Sequence, residues 1–400
     1  MTGDPDLIVR VAARGDGVTA DGRHVPRAAP GDRLAEGGGL VPGPHHADPP
    51  CRHFDACGGC QLQHLDESAL ADFVRDRVLN ALAAQDVPVG GIAPAHLSPP
   101  GARRRVALRG TRLGKRFLFG FSGEGSHRIV DLAQCPVMHP ALFALVAPLR
   151  RFLAQHGGAA RAVQAKLALT DQGADCLIEG AAFEGLAAQE ALIAFAGENR
   201  LARLSVDEGY GGEARWEPQP VTVSPGGVAV PYPPHAFLQA TADGEAALLA
   251  AVREGVGAAA RVADLFAGLG TFALALAGGR RMLAAEADRA AILALKAGAN
   301  AAGLPVAAEH RDLYRRPLEA PELSEFDAVI LDPPRAGAQE QIDRLAASAV
   351  PVIAYVSCNP MSFARDAKRL LAGGYRLDRV TPVGQFRWST HVELAGIFRR

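Results

Sequence analysis

No stretch of this chain approaches the ~18 consecutive apolar residues that span a bilayer as a helix. Residues 1–11 carry acids where a secretory leader needs a basic start and an apolar run, so a cytoplasmic protein is the expectation. Net charge is also scarce. Lys and Arg number 42 against 43 Asp and Glu, leaving −1 at pH 7. No global field draws nucleic acid to the chain, and any such footprint must be local. Cysteine is confined to six residues, which in a cytosolic chain argues against a disulfide framework and towards metal or catalytic roles. Their distribution is uneven: Cys51, Cys57 and Cys60 cluster, whereas Cys135, Cys176 and Cys358 stand apart. Internal repeats are absent.

What is present describes a globular protein of several parts. A length of 400 residues exceeds one ordinary core and implies two or three domains. Residues 7–13 and 18–25 read as short strands about the turn Gly15-Asp16-Gly17, and the Gly/Pro/His-rich stretch 35–50 reads as a linker. A helix is predicted over 68–84, strands within 104–130, a helix over 142–155, two strands within 162–182 and a helix over 186–195. From about residue 245 strands and helices alternate. Strands are predicted at 261–265, 282–286, 326–331 and 352–357, and helices at 246–252, 271–277, 290–302 and 339–347. That alternation implies a mostly parallel sheet covered on both faces, with ligands at the carboxyl ends of its strands.

Asp264-Leu265-Phe266-Ala267-Gly268-Leu269-Gly270-Thr271 forms a glycine turn between a strand and a helix. The third glycine of the dinucleotide-binding spacing is missing. Roughly 20 residues later Glu286 ends the next strand, where a carboxylate can accept hydrogen bonds from a ribose. Asp312 falls at the following strand end. A dehydrogenase would satisfy these features nearly as well, and a plain packing turn would account for the glycines.

Three further segments alter the balance, each expected to end a strand: Asp332-Pro333-Pro334-Arg335, Ser357-Cys358-Asn359-Pro360 and His391-Val392-Glu393. With Phe237-Leu238-Gln239 and the glycine turn, the chain resembles the RNA (uracil-5-)-methyltransferases of transfer and ribosomal RNA. The blocks run from Phe237 to Glu393 in that family's order. Carbon 5 of uracil is a poor nucleophile, so the family's chemistry needs a thiolate adding to carbon 6 and a base removing the carbon 5 proton. The resemblance implies that Cys358 is the nucleophile and Glu393 the base. Gln239, Phe266, Thr271, Glu286, Asp312 and Asp332 would line the S-adenosylmethionine and uracil sites. Asp-Pro-Pro also occurs in amino-group methyltransferases, which need no thiol. The 5-methylcytidine enzymes generally carry a second cysteine at that motif; here Arg335 follows, which favours uridine. The chain departs from the family at Thr271, usually Asn, at Ala267, often Cys, at Gly384, commonly acidic, and at Arg387-Trp388.

Cys51-x5-Cys57-x2-Cys60, with Cys135 before a proline, supplies four thiolates suited to a 4Fe–4S cluster or a tetrahedral zinc. Ribosomal members of the family carry an iron–sulfur cluster with this spacing, and the stretch 126–131 matches theirs, so the resemblance is to the iron–sulfur 23S rRNA enzymes. Cys176 reads as a buried small hydrophobe. Between Arg103 and Arg116 lie seven basic residues, namely Arg103, Arg104, Arg105, Arg109, Arg112, Lys115 and Arg116, with no acid among them. Phe117, Phe119 and Phe121 follow in alternation. These suit phosphate contact and base stacking, or else a solvated strand whose phenylalanines face a core.

The expected architecture is α/β in three parts. Residues 1–48 form a short β-rich, truncated barrel-like segment and linker, 49–235 a central α+β iron–sulfur domain contacting RNA, and 236–400 a Rossmann-like class I methyltransferase domain. The expected activity is 5-methyluridine formation in 23S rRNA. A tRNA uridine-5-methyltransferase and a non-catalytic iron–sulfur RNA-binding protein are the alternatives.

Overall fold

The computed structural model describes residues 4–157 and 162–400; residues 1–3 of the acidic start lie outside the described residues. The central apolar runs Arg261–Leu265, Ala328–Leu331 and Val352–Ser357 are buried on both faces over nearly their whole length, as inner strands of a parallel sheet must be. With their neighbours they form eight strands in the order Val306–His310, Arg281–Glu286, Arg261–Leu265, Ala328–Leu331, Val352–Ser357, Glu393–Arg399, Arg376–Gly384, His96–Leu97. The first five are parallel, while Glu393–Arg399 runs antiparallel to both neighbours. Two strands, Arg261–Leu265 and Val352–Ser357, and the helix Gln339–Ala347 have the expected bounds. This is the predicted Rossmann-like α/β layer. The chain crosses to the other side of Arg261–Leu265 after Val306–His310, which makes that strand's carboxyl end the topological switch point where ligands bind.

One expectation is corrected here. His391-Val392-Glu393 does not end a strand; Glu393 opens one. Because that strand is antiparallel, its beginning lies beside Ser357, paired with Leu394, at the same edge where the parallel strands finish. Among the described residues no helix is long and apolar enough to cross a membrane.

The central part is a six-stranded sheet ordered Gly212–Trp216, Arg203–Asp207, Gly173–Glu179, Val163–Thr170, Arg105–Leu113, Arg116–Gly120. Period-2 alternation sends Val106, Leu108, Ala165, Leu167, Cys176 and Ile178 into one core beneath the helices Val146–His156 and Leu186–Glu198. Cys176 is fully buried, and burial pushes its thiol far up. The helix expected over 142–155 divides into Pro140–Phe143 and Val146–His156.

Two boundaries differ from expectation. The stretch 35–50 is not a bare linker, since Leu40–Val41 pairs with Arg33–Leu34. Asp32 orders it: this buried carboxylate accepts the N–H groups of Ala29 and Gly43, each at 2.7 Å, and bonds His46 Nδ1 at 2.7 Å. The second difference concerns residues 67–98, expected within the central domain. The helix Glu67–Ala83, capped by Asp66, packs on Pro360–Ala372 and Arg376–Gly384. Its Leu70, Phe73 and Val74 share a core with Tyr355, Phe363 and Leu370. His96–Leu97 then adds the last strand to the C-terminal sheet. Gly384 marks the junction: a Cβ on it would meet Leu97 Cδ2 at 2.8 Å and Val74 Cγ2 at 3.1 Å. A side chain at this position would have to displace the ends of Leu97 and Val74.

Candidate active site

The strand Arg261–Leu265 delivers the glycine turn to the switch point, and the two glycines do different things. Gly270 (φ +89°) is a packing residue, because a Cβ there would lie 2.8 Å from Leu274 and 2.9 Å from Leu295. Gly268 (φ +54°) would place a Cβ in open space, within the wall of a large cavity. Phe266 adopts φ +64°, a left-handed conformation that a side chain tolerates only where the surroundings enforce it. Glu286 reaches across the turn, its Oε2 accepting the Gly268 N–H at 2.9 Å and its Oε1 the Asp288 N–H at 2.8 Å. Thr271 lines the same wall.

Asp312 does not join them. Its Oδ1 accepts the N–H groups of Tyr314 (3.0 Å) and Arg315 (3.3 Å), and this turn presents Leu313 and Tyr314 to the cavity instead. Tyr314 lies 5.5 Å from Phe266, ring to ring, and donates its hydroxyl to Gly337 O at 2.9 Å. Sequence reasoning missed Tyr314, which only the strand-end position of its neighbour signals. It also assigned no role to Asp264. That residue is fully buried, accepts the Ala273 N–H at 2.8 Å through Oδ2 and leaves Oδ1 without a partner. Burial pushes its carboxyl up to about 7.

The other side of the cavity is built from three strand edges. Cys358 follows Val352–Ser357 and precedes Asn359, the cap of the helix Pro360–Ala372. That helix start grips the Asp-Pro-Pro loop, as Asn359 Nδ2 (3.1 Å) and Ser362 Oγ (3.2 Å) both donate to Arg335 O. Gln239 Nε2 donates to Asp332 Oδ2 at 3.1 Å, and Gln385 Nε2 to Gln239 Oε1 at 2.9 Å. Cys358, Asp332, Gln239 and Glu393 all open onto the cavity of about 970 Å³ that holds Phe266, Thr271 and Glu286. It matches the upper end of ligand-pocket sizes.

Burial dominates the electrostatics. It pushes the Cys358 thiol up, the charges of Glu393 and Asp332 add to this, and Arg335 opposes it. The positive end of the helix Pro360–Ala372 also favours the thiolate. Asp332 is held well above the usual carboxylate range by burial and then by Glu393 and Asp264. Glu393 rises to about 7 through burial, against the opposing Gln385 N–H and Arg105 guanidinium. A carboxyl at that value exchanges its proton near neutrality, as a working base must.

The basic run is split by strand alternation. Arg103 and Arg105 turn into the cavity, over the rings of Phe386 (5.3 Å) and Phe237 (4.6 Å). Arg104 turns away to Gln239 O and Glu245, and Arg112 to Ala154 O. Phe117 and Phe119 are buried in the central core, while Phe121 lines the cavity.

Cys51, Cys57, Cys60 and Cys135 line the same cavity, Cys51 and Cys60 being the buried pair. Burial pushes Cys60 up to about 12, and the other three sulfurs further disfavour its thiolate. Among the described residues no three His, Cys, Asp or Glu side chains are drawn together as around a metal ion. Adjacent to Cys60, the N–H groups of Gln61 (2.8 Å) and Leu62 (2.9 Å) both donate to Trp388 O, tying the cysteine segment to the loop that leads into Glu393.

The raised Glu393 carboxyl has a consequence for stability. Its proton is held more tightly in the fold than in the unfolded chain, so its contribution is fully present below pH 4.5 and is lost as pH rises through about 7. The rise from 4.5 to about 7 corresponds to about 3 kcal/mol. Glu393→Gln therefore gains stability over the native protein at pH 8 and much less at pH 5, measured by urea unfolding. An equal difference at both values would contradict the assignment.

Comparison with known proteins extends the site to a family. A family model described as tRNA (Uracil-5-)-methyltransferase matches residues 232–400. An RNA methyltransferase of Zymomonas mobilis is 51% identical over 393 residues, 98% of this chain and 99% of its own. The 23S rRNA (uracil(1939)-C(5))-methyltransferase of Chromohalobacter salexigens is 32% identical over 98% of this chain and 88% of its own. The solved structure of Pyrococcus abyssi tRNA (uracil-54, C5)-methyltransferase in complex with S-adenosyl-L-homocysteine shares the fold. Its TM-score is 0.75 over 98% of this chain and 99% of that one, at 24% identity. A glycine turn, a strand-end acid, an Asp-Pro-Pro loop and a thiol on one cavity, together with kinship along nearly the whole chain, show that this protein belongs to the RNA (uracil-5-)-methyltransferase family.

Proposed function

We propose that the protein methylates carbon 5 of a uridine in 23S rRNA, through a covalent adduct on Cys358, with S-adenosylmethionine as methyl donor. The observation that carries this reading is the meeting of Cys358, Asp332 and Glu393 with the glycine turn on one cavity. The residues present fit the donor: Gly268 leaves open space above its Cα, and Glu286, Phe266, Thr271 and Tyr314 wall that space. Phe266, Thr271 and Glu286 would hold it, with Leu313 and Tyr314 taking the place expected for Asp312. When bound it supplies an electrophilic methyl on a sulfonium.

The remaining chemistry belongs to the chain. Cys358 reacts as its thiolate, its proton having gone to solvent. The sulfur adds to carbon 6 of the uracil, and the carbon 5–carbon 6 π pair moves towards the O4 enolate. Gln239 and Asp332 face that oxygen, and carbon 5 is thereby made nucleophilic towards the methyl. Glu393, ionised, then takes the carbon 5 proton. The double bond re-forms and the carbon–sulfur bond breaks, returning the thiolate. The uridine must leave its stack to meet the thiol. Arg103 and Arg105, backed by Phe386 and Phe237, give the cavity a local positive rim for the RNA backbone.

Cys51, Cys57, Cys60 and Cys135 would hold a 4Fe–4S cluster, with zinc as the alternative. Four sulfurs that disfavour one another's charge suit a cationic cluster that neutralises them. Its role is structural, ordering the strap that reaches Trp388. The cysteine set and the ribosomal enzyme among the relatives support rRNA over tRNA.

With 5-fluorouridine in the RNA, carbon 5 has no proton to lose. The native enzyme and cofactor then yield a stable protein–RNA adduct, and Cys358→Ala yields none. On ordinary RNA, turnover rises with pH through about 7 as Glu393 ionises, and Glu393→Gln accumulates the adduct. Adduct formation by Cys358→Ala, detected by denaturing electrophoresis, would remove the covalent step. Protein purified without oxygen is expected to carry roughly four irons with matching sulfide, and Cys60→Ser to lose them; zinc alone by elemental analysis would assign the site to zinc.

A further inference from the structure

Gln385 follows the strand Arg376–Gly384, is 1% exposed and does not line the cavity. Its orientation is fixed by backbone. Oε1 accepts the N–H groups of Ala240 (3.0 Å) and Thr241 (3.4 Å), so that end of the amide can only be the oxygen. Nε2 must then face the site. One of its hydrogens goes to Gln239 Oε1 at 2.9 Å, and the amide favours the ionised form of the Glu393 carboxyl. Gln239 is oriented in turn: with Oε1 committed as acceptor, its Nε2 donates to Asp332 Oδ2 at 3.1 Å. A directed chain thus runs from the backbone of Ala240 and Thr241 through two amides to Asp332. The seat is close-fitting, since a Cβ on Gly244 would lie 2.7 Å from Gln385 Cβ.

We propose that Gln385 is a positioning residue for the methyl transfer, fixing the amide polarity of Gln239 towards Asp332 and the uracil, with its own N–H end on the Glu393 side. The proposal rests on the reading of Glu393 as the base. The amide of Gln239 is otherwise free to rotate by half a turn. Reversed, it would set its NH2 against the Gln385 N–H donor and aim its oxygen at the uracil carbonyl, two repulsive contacts. The groups facing Glu393 come from every side: Arg105 from the central sheet, Asp332 from the Asp-Pro-Pro loop, Cys358 from the neighbouring strand end and Gln385 from behind. Arg105 and Gln385 favour its ionised form, whereas burial and the other two when ionised oppose it. Removing the Gln385 N–H therefore leaves the proton on Glu393 to higher pH.

The test compares Gln385→Met and Gln385→Glu with the native holoenzyme in steady-state and single-turnover methylation of RNA across pH. Methionine keeps the length and removes both hydrogen-bonding ends; glutamate keeps the shape and an acceptor but loses the donors. Both are expected to lower kcat about tenfold or more, the worth of a hydrogen bond to a charged group, with KM changed by less than about twofold. The acidic limb of the pH profile moves to higher pH, further for the glutamate. Thermal midpoints and circular dichroism confirm that each variant is folded. If the methionine variant melts early, the glutamate variant decides alone. An unmoved limb with kcat within about twofold of native, in a folded variant, overturns the proposal. Glu393→Gln is run alongside. Loss of turnover there, with a native-like Gln385→Met, sinks only the role of Gln385; native turnover in Glu393→Gln sinks the reading of the base itself.

Discussion

Burial of ionisable groups at one sheet edge is the constraint on which the rest of the molecule depends. Cys358, Asp332, Glu393 and Asp264 stand at or beneath the carboxyl end of the parallel strands, where water cannot fully solvate their charges. The fold can hold only part of that charge at once, and each group's proton depends on its neighbours. This works against stability. The resulting Glu393 carboxyl near 7 changes its protonation state around neutral pH, a feature that suits the role proposed for it. The compensating donors are few and specific: an N–H from Gln385, the guanidinium of Arg105, an amide from Gln239 and the start of one helix.

Such a pocket must be closed from the other side, and the chain closes it by interlocking its parts. Residues 67–98 leave the central region to complete the C-terminal layer, and Glu67 of that helix pairs with Arg387. Arg387 also donates to Ser98 O at 3.0 Å, and Trp388 O receives two N–H groups from the cysteine segment. The loop 386–390 is therefore held from two directions just before it delivers Glu393. The departures from the family pattern at Gly384 and Arg387-Trp388 fall in this junction, where they serve packing and the strap rather than the reacting atoms.

Much of the C-terminal layer was legible in the sequence because its signals are local. Continuous apolar runs such as Ala328–Leu331 identify buried strands, and the glycine turn and Asp-Pro-Pro loop name the strand ends. What stayed hidden depends on pairing between distant segments. The direction of Glu393–Arg399 is set by its antiparallel neighbours, so a residue expected to end a strand begins one. The basic run could be counted but not divided between faces, since its alternation only acquires meaning once Arg105–Leu113 has a core side. Gln385 carries no motif at all, and its importance arises only when Ala240 and Thr241 meet it across 144 or more residues. Asp312 is a strand-end acid whose Oδ1 is taken up by its own turn, a local arrangement that the strand-end pattern does not announce.

The central claim is that the protein methylates uridine in ribosomal RNA by way of the Cys358 thiol. Its most direct test is nucleoside mass spectrometry of 23S rRNA and tRNA from a deletion strain rescued with either the native gene or Cys358→Ala. The account predicts that 5-methyluridine disappears from 23S rRNA on deletion and returns only with the native gene. Loss from tRNA instead would reassign the substrate, and 5-methyluridine unchanged in both pools would contradict the account.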